Sequence, residues 1–270
     1  MKVFEGTKDE YYMDGYLKTN MDTANAIIKK DWDMVFIVDG GEGGGKSVLS
    51  QQCAKYNDST FNIDRIVFTP KTFRDAIINA EKYQAVVYDE AYTGLSARAT
   101  MSLINRTLIS MLAEIRQKNL FVYIVMPTFF DLDKYAALWR SRALIHVYTS
   151  DGFERGYFAF FNKDRKKDLY ILGKKFYAYG KPKANFHGRF TNHYTVNEEE
   201  YKEKKRNSLL AREKKGEEES VKQEVMAQMF ERLVDLKGMT NLQKSKALGI
   251  SEAYYYIMLK RWKNEQGMDI

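Results

Sequence analysis

Eight consecutive residues, Gly40-Gly41-Glu42-Gly43-Gly44-Gly45-Lys46-Ser47, follow the spacing G-x-x-x-x-G-K-[ST]. Each residue type in that pattern has a chemical reason. Glycines let backbone N–H groups turn inward around phosphate oxygens, and a helix starting at the lysine points its positive end at the same charge. Lys46 is then placed to reach the β- and γ-phosphates and Ser47 to bind Mg²⁺, with Val48 continuing the helix. Further on, Asp89 and Glu90 follow the apolar run Val86-Val87-Tyr88. A carboxylate there suits Mg²⁺ coordination, often through water, and its neighbour can polarise the attacking water. A glycine-rich turn or an ordinary polar loop would account for either motif alone, but not for both at the ends of strands. The pair implies hydrolysis of a nucleoside triphosphate, with Lys46 and Glu90 catalytic and Ser47 and Asp89 on the metal.

Strands and helices must hold these residues, and the flanking sequence supplies them. MVFIVDG (34–40) is a short buried strand ending in glycines, and KSVLSQQCAKY (46–56) places Val48, Leu49, Cys53 and Ala54 at helical spacing. IDRIVFT (63–69) is the next strand, Pro70 opens a helix over about 71–82, and QAVVYDE (84–90) is a third strand. A helix over about 99–118 carries Leu103, Ile104, Leu108, Met111, Leu112 and Ile115 as an apolar stripe. LFVYIVM (120–126), stopped by Pro127, is a fourth strand, and a short helix near 132–139 precedes a fifth, RALIHVY (142–148). This alternation predicts an α/β fold with a mostly parallel central sheet covered on both faces.

The pattern changes after Thr149. GYFAFFNK (156–163) and DLYILG (168–173) flank a basic stretch, which reads as a β-hairpin hanging off the core. Residues 174–195 are aromatic, basic and glycine-containing, and are expected to be irregular. Asn197 with Glu200 fits a helix N-cap and its partner, opening a charge-dense helix. The expected division is an ATPase domain over 1–195 that includes the hairpin at about 150–190, a linker helix over 196–219, and a small all-α module over 220–270.

Glu90 directly after Asp89, with an extra strand between the two motifs, resembles the additional-strand, catalytic-glutamate division of P-loop NTPases. In that division a polar residue ending the fourth strand senses the γ-phosphate, and Thr128, after Met126-Pro127, occupies the place. Many relatives carry Gln or Asn there, and a simple Pro-Thr turn or helix cap would account for Thr128 equally. The base-reading N/T-K-x-D of GTPases is not found in the right place. Kinases of the class usually lack the glutamate and carry an arginine-rich lid.

AEIRQKNLFVYIVMPT followed by WRSRALIHVY is similar to the FtsK–HerA superfamily of DNA-pumping ATPases, and the layout resembles its smaller Zot-like and viral genome-packaging members. The resemblance covers roughly 34–148. Thr128 departs from it, as does the absence of the long membrane or coiled-coil domains of larger members, which leaves the cellular role open. The resemblance implies ATP and Mg²⁺ as cofactors and a homo-oligomeric ring, usually a hexamer, in which one subunit's arginine completes its neighbour's site. Arg142, Arg140 and Arg116 are candidates in that order, with Arg98 and Arg106 behind them. Each could equally be a surface or salt-bridging arginine.

Composition narrows the partners. A formal net charge of +7 suits a polyanion without naming one. Lys163, Arg165, Lys166, Lys167, Lys174 and Lys175, interleaved downstream with Phe176, Tyr177 and Tyr179, suit phosphate contact and base stacking, or else a solvated hairpin. The segment from Thr240 to Trp262 looks like a helix-turn-helix, with Gly249 in the turn, Ile250 buried and Ser251 capping a second helix. Tyr255, Met258, Leu259 and Trp262 would face its core, while Tyr254, Tyr256, Lys260 and Arg261 would lie on or near a face open to a major groove. A three-helix unit that binds protein fits the same pattern.

The one cysteine, Cys53, permits no disulfide within the chain. With no signal-like N-terminus and no membrane-length apolar run, a soluble, cytoplasmic protein of prokaryotic, viral or mobile-element origin is expected. The reading that joins these features is an ATP-driven ring motor that moves or loads DNA, double-stranded in the first instance. A portal, a relaxase or another DNA-processing protein would be its partner. Two other classes stay open: an ATP-switched DNA-binding regulator or replication-initiation factor, and a phage assembly or secretion ATPase acting on protein.

Overall fold

A computed structural model describes residues 1–89, 97–150, 153–234, 236 and 238–265. It divides into two compact units, Met1–Ser208 and Leu209–Ile270. In the first, a two-stranded ribbon, β1 (Lys2–Val3) and β2 (Tyr11–Tyr12), precedes helix α1 (Gly15–Ile28). Asp14 caps α1 by accepting from the backbone of Tyr16 and Leu17. Then come β3 (Met34–Gly40), α2 (Lys46–Asn57), β4 (Ile66–Val67), α3 (Pro70–Asn79), β5 (Ala85–Tyr88), α4 (Ala97–Gln117), β6 (Phe121–Val125) and β7 (Ser141–Tyr148). The chain finishes the unit with β8 (Tyr157–Phe161), α5 (Lys163–Gly173), β9 (Phe186–Arg189) and the start of α6 (Glu198–Val234).

The result is a mixed α/β fold around a seven-stranded, mostly parallel sheet in the order β4-β5-β6-β3-β7-β8-β9. The strands from β4 to β7 run parallel, while β8 and β9 are antiparallel. Side-chain alternation splits β3 between two cores. Val35 and Ile37 pack with Phe73 and Ile77 of α3, Met111 and Ile115 of α4, and Leu169 and Tyr170 of α5. Met34, Phe36 and Val38 pack with Leu17 and Met21 of α1 and Leu49 and Cys53 of α2. Helices on both faces explain why these strands are continuous apolar runs rather than alternating ones. Each such side chain contributes on the order of 2 kcal/mol by leaving water.

Two sequence expectations are corrected here. The basic stretch is not the tip of a β-hairpin, because residues 163–173 form helix α5, capped by Asn162, whose side chain accepts from Arg165 N–H. Its buried face is Lys166, Leu169, Tyr170 and Gly173, a spacing of three, four and seven. A lysine at the first of those positions hides the helical period, so the apolar tail of the segment reads as a strand. The partner of β8 is instead β9, from the stretch expected to be irregular. The short helix near 132–139 narrows to a π-helical turn at Ala136–Arg140.

In the second unit, Thr240 and Gln243 form a capping box at the start of α7 (Asn241–Ala247), and Ser251 Oγ accepts from Tyr254 N–H at the start of α8 (Glu252–Glu265). Phe230, Leu248 and Tyr255 make a small core, with Ile250, Met258, Leu259 and Trp262 packed against it. Helix α6 (Glu198–Val234) runs through position 220, where the expected linker helix meets the expected small module.

Candidate functional site

The site grows from the carboxyl end of β3. Gly40 has φ +136°, and a Cβ there would sit 1.9 Å from the Val147 carbonyl oxygen on β7, so only glycine fits between the strands. At the other end of the loop Gly45 has φ +99°, caps α2 and lies under the ring of Phe190. The Lys46 ammonium donates to the carbonyls of Gly40 (2.9 Å) and Gly41 (2.7 Å). Burial holds its pKa below the ordinary lysine value, with the carboxylates of Asp39 and Asp89 opposing that shift. Gly44 and Val48 are buried, whereas Gly41, Glu42 and Gly43 are exposed.

Asp89 follows β5, the second strand from β3 in the sheet, with β6 between them. Ser47 Oγ donates to Asp89 Oδ1 at 3.0 Å, across 42 positions of sequence. The Tyr201 hydroxyl, from α6, donates to Asp89 Oδ2 at 2.5 Å. Asp89 is fully buried and Tyr201 nearly so, and burial next to this carboxylate pushes the Tyr201 phenol well above its ordinary range. A serine hydroxyl and a carboxylate oxygen at this separation are the hard oxygen donors that Mg²⁺ prefers. Glu90, the expected water-activating base, lies outside the described residues, as does the side chain of Arg98.

Thr128 is brought to the same edge of the sheet, since Gly40 N–H donates to the adjacent Pro127 carbonyl at 3.3 Å. Its hydroxyl lies 3.1 Å from the Tyr179 hydroxyl and also caps the turn at Phe130. Behind it is a network that the sequence reading missed. Asp39, buried inside β3, accepts from Phe129 N–H (2.7 Å) and from Tyr179 on one oxygen and pairs with His146 Nδ1 (2.9 Å) on the other. Tyr179 stacks on His146 at 3.7 Å between ring centroids. An aspartate inside the otherwise apolar MVFIVDG was the available signal. Tyr201 had none, because nothing local in the sequence links α6 to β5.

The arginines expected to serve a neighbouring subunit's site lie away from this chain's own loop. Arg140 Nη2 donates to Asp33 Oδ2 at 2.6 Å, and Arg142 reaches the same carboxylate at 3.7 Å while lying 4.5 Å from the Trp32 ring. Arg116 approaches the other candidates through that ring, at 5.7 Å. Asp33 precedes β3 and Gly40 ends it, so this cluster sits at the opposite end of the strand from the loop, roughly 20 Å away. Arg106 is exposed on α4.

The expected nucleic-acid residues also separate. Lys163, Arg165, Lys174 and Lys175 are exposed. Lys166 is fully buried, donates to the Ala137 and Leu138 carbonyls, and is removed from any surface role. Lys167 is half-buried, with its ammonium 4.3 Å from the Trp139 ring. In the second unit Tyr254, Tyr256, Lys260 and Arg261 are all exposed on α8.

No family model matches the chain, and no curated protein does. Among solved structures, the N-terminal domain of zonular occludens toxin from Neisseria meningitidis is similar at a TM-score of 0.37 and 16% identity, over 59% of this chain and 94% of that one. Among the described residues no helix is long and apolar enough to cross a membrane.

Proposed function

We propose that the first unit is a P-loop ATPase of the additional-strand, catalytic-glutamate type, and that the whole chain is a DNA-directed motor working as a ring. The observation that carries the ATPase reading is the meeting of Ser47 and Asp89 at 3.0 Å, beside a glycine loop at the carboxyl edge of a parallel sheet. Crevices outside that edge are where α/β folds take ligands. The loop N–H groups and the start of α2 would receive the phosphates, and Lys46 would exchange two backbone carbonyls for them. The Ser47 hydroxyl and Asp89 would hold Mg²⁺, which when bound neutralises charge on the β- and γ-phosphates. Glu90 would take the proton of the attacking water, and Thr128, fixed through Tyr179 and Asp39, would face the terminal phosphate.

Net charge, the exposed basic residues Lys163 and Arg165 on α5 with Lys174 and Lys175 just after it, and the exposed face of α8 support a DNA partner. ATPase rate is the test, measured with no DNA, random duplex, single strands and a selected site, with Glu90→Gln as the inactive control. Activity stimulated by random duplex and lost in the control is expected. Activity indifferent to all DNA would overturn the motor and favour a protein substrate, and stimulation by one sequence alone would favour a regulator. No activity in the wild-type chain under any condition would remove the ATPase reading.

A further inference from the structure

The turn between β7 and β8 returns the chain to the loop that follows β3. Gly40 pairs with Val147 near the end of β7, and Tyr148 pairs with Tyr157 at the start of β8, so residues 149–150 and 153–156 lie at the edge of the sheet that carries the glycine loop. The turn is fixed by hydrogen bonds from Phe153 N–H to the Ser150 carbonyl (2.9 Å) and from Ser150 N–H to the Glu154 carbonyl (3.0 Å). Phe190, which covers Gly45, donates its N–H to the Gly156 carbonyl at 2.8 Å and so ties the turn to the loop. Arg155 stands next to that anchor. Its guanidinium Nη2 lies 3.6 Å from the Cβ position of Gly43, in the middle of the loop.

Among the described residues no ion pair or hydrogen bond engages Arg155, which is exposed. The neighbouring Glu154 carboxylate accepts instead from the Tyr157 hydroxyl at 3.1 Å. Glu42, beside Gly43, makes no ion pair with it. Arg140 and Arg142, by contrast, are held by Asp33 at the far end of β3. A planar, permanently charged group with several donors and no anion is suited to phosphate oxygens.

We propose that Arg155 is a catalytic arginine supplied by the same chain, which contacts the terminal phosphates of a nucleoside triphosphate held by the loop. This rests on the ATPase reading of that loop. In hydrolysis the water oxygen bonds to the γ-phosphorus as the bond to the bridging oxygen breaks. That bond's electron pair stays on the diphosphate, and the water's proton leaves to a base. The guanidinium stabilises the negative charge spread over the transferring group and the bridging oxygen. A subunit would then carry its own arginine, and ring assembly would serve DNA handling instead of completing the phosphate site.

The test uses the full-length chain and calorimetric titration with ADP and with a non-hydrolysable ATP analogue, alongside phosphate release. Arg155→Ala is expected to weaken analogue binding by about tenfold, leave ADP binding within about twofold, and slow phosphate release by about a hundredfold or more. Arg155→Lys should recover part of the loss, as a point charge replaces a forked donor. Unchanged analogue binding and turnover in Arg155→Ala would overturn the proposal, and so would equal weakening toward ADP and the analogue. Lys46→Ala separates the two levels of the argument. If wild-type and Lys46→Ala chains bind neither nucleotide, or bind them equally, the loop is not a nucleotide site and both readings fall. If Lys46→Ala abolishes binding while Arg155→Ala matches wild type, only the arginine proposal falls.

Discussion

Tyr201 gives the site one hydroxyl, and what it does follows from what it touches. It donates to one oxygen of Asp89 while Ser47 donates to the other, so the buried carboxylate is held in a single orientation. Partners of a metal-binding carboxylate fix its direction, and their loss usually costs ten- to a hundredfold in metal affinity. Tyr201→Phe should therefore raise the Mg²⁺ concentration for half-maximal ATPase activity by about tenfold while saturating activity falls less. Titrating activity against Mg²⁺ checks this, and an unchanged midpoint would make Tyr201 a packing residue only. Arg140 and Arg142 show the opposite case: they flank the first residue of β7, and both are committed to Asp33. A role at a neighbouring subunit's phosphate would require either to leave a carboxylate that is almost fully buried.

Two elements carry predictions of their own. The β3–β7 pair depends on Gly40, where an added methyl group meets the Val147 carbonyl at 1.9 Å. Gly40→Ala must push the strands apart or bend the loop, at a cost of about 3 kcal/mol or more, readable as a lower urea midpoint. Helix α5 buries a lysine. Burial lowers the Lys166 pKa to about 7, so the folded chain favours the neutral amine while the unfolded chain keeps the proton up to the ordinary lysine value near 10.5. Between those two pH values the unfolded state binds more protons, and stability rises with pH by at most about 1.4 kcal/mol per unit. Below pH 7 both states are protonated and the full penalty stands. Lys166→Met should abolish this rise, seen as the difference between the two chains in urea unfolding at pH 7 and pH 9.5.

At the scale of the molecule, the division falls after Ser208, with the proposed nucleotide site in the first unit and the small helical module in the second. Every residue placed on the phosphate side, including Tyr201, belongs to the first unit. A chain ending at Ser208 is expected to keep ATP binding with an affinity within a few-fold of the full chain, and to lose DNA affinity at moderate salt. Titrations of both chains with duplex DNA over a range of salt concentrations check this. The full chain should show the steeper salt dependence, because it neutralises more phosphates. Identical slopes would place the contacts on the first unit, among the exposed lysines around α5.

The parts of this protein whose physics is local can be read from the order of its residues. The glycine loop, the lysine and serine after it, the apolar strands and Asp89 are all visible as neighbours or as short periods. The parallel sheet was legible for the same reason, since strands buried on both faces read as nearly continuous apolar runs. The remainder depends on contacts made by the folded chain. Lys166 hid α5 because a buried lysine looks like a surface one until its carbonyl partners are known. The bonds from Ser47 and Tyr201 to Asp89, the Asp39–His146–Tyr179 network and the approach of Arg155 to Gly43 join residues that are far apart in the chain. Their chemistry depends on distances that appear only when the sheet brings its strand ends together.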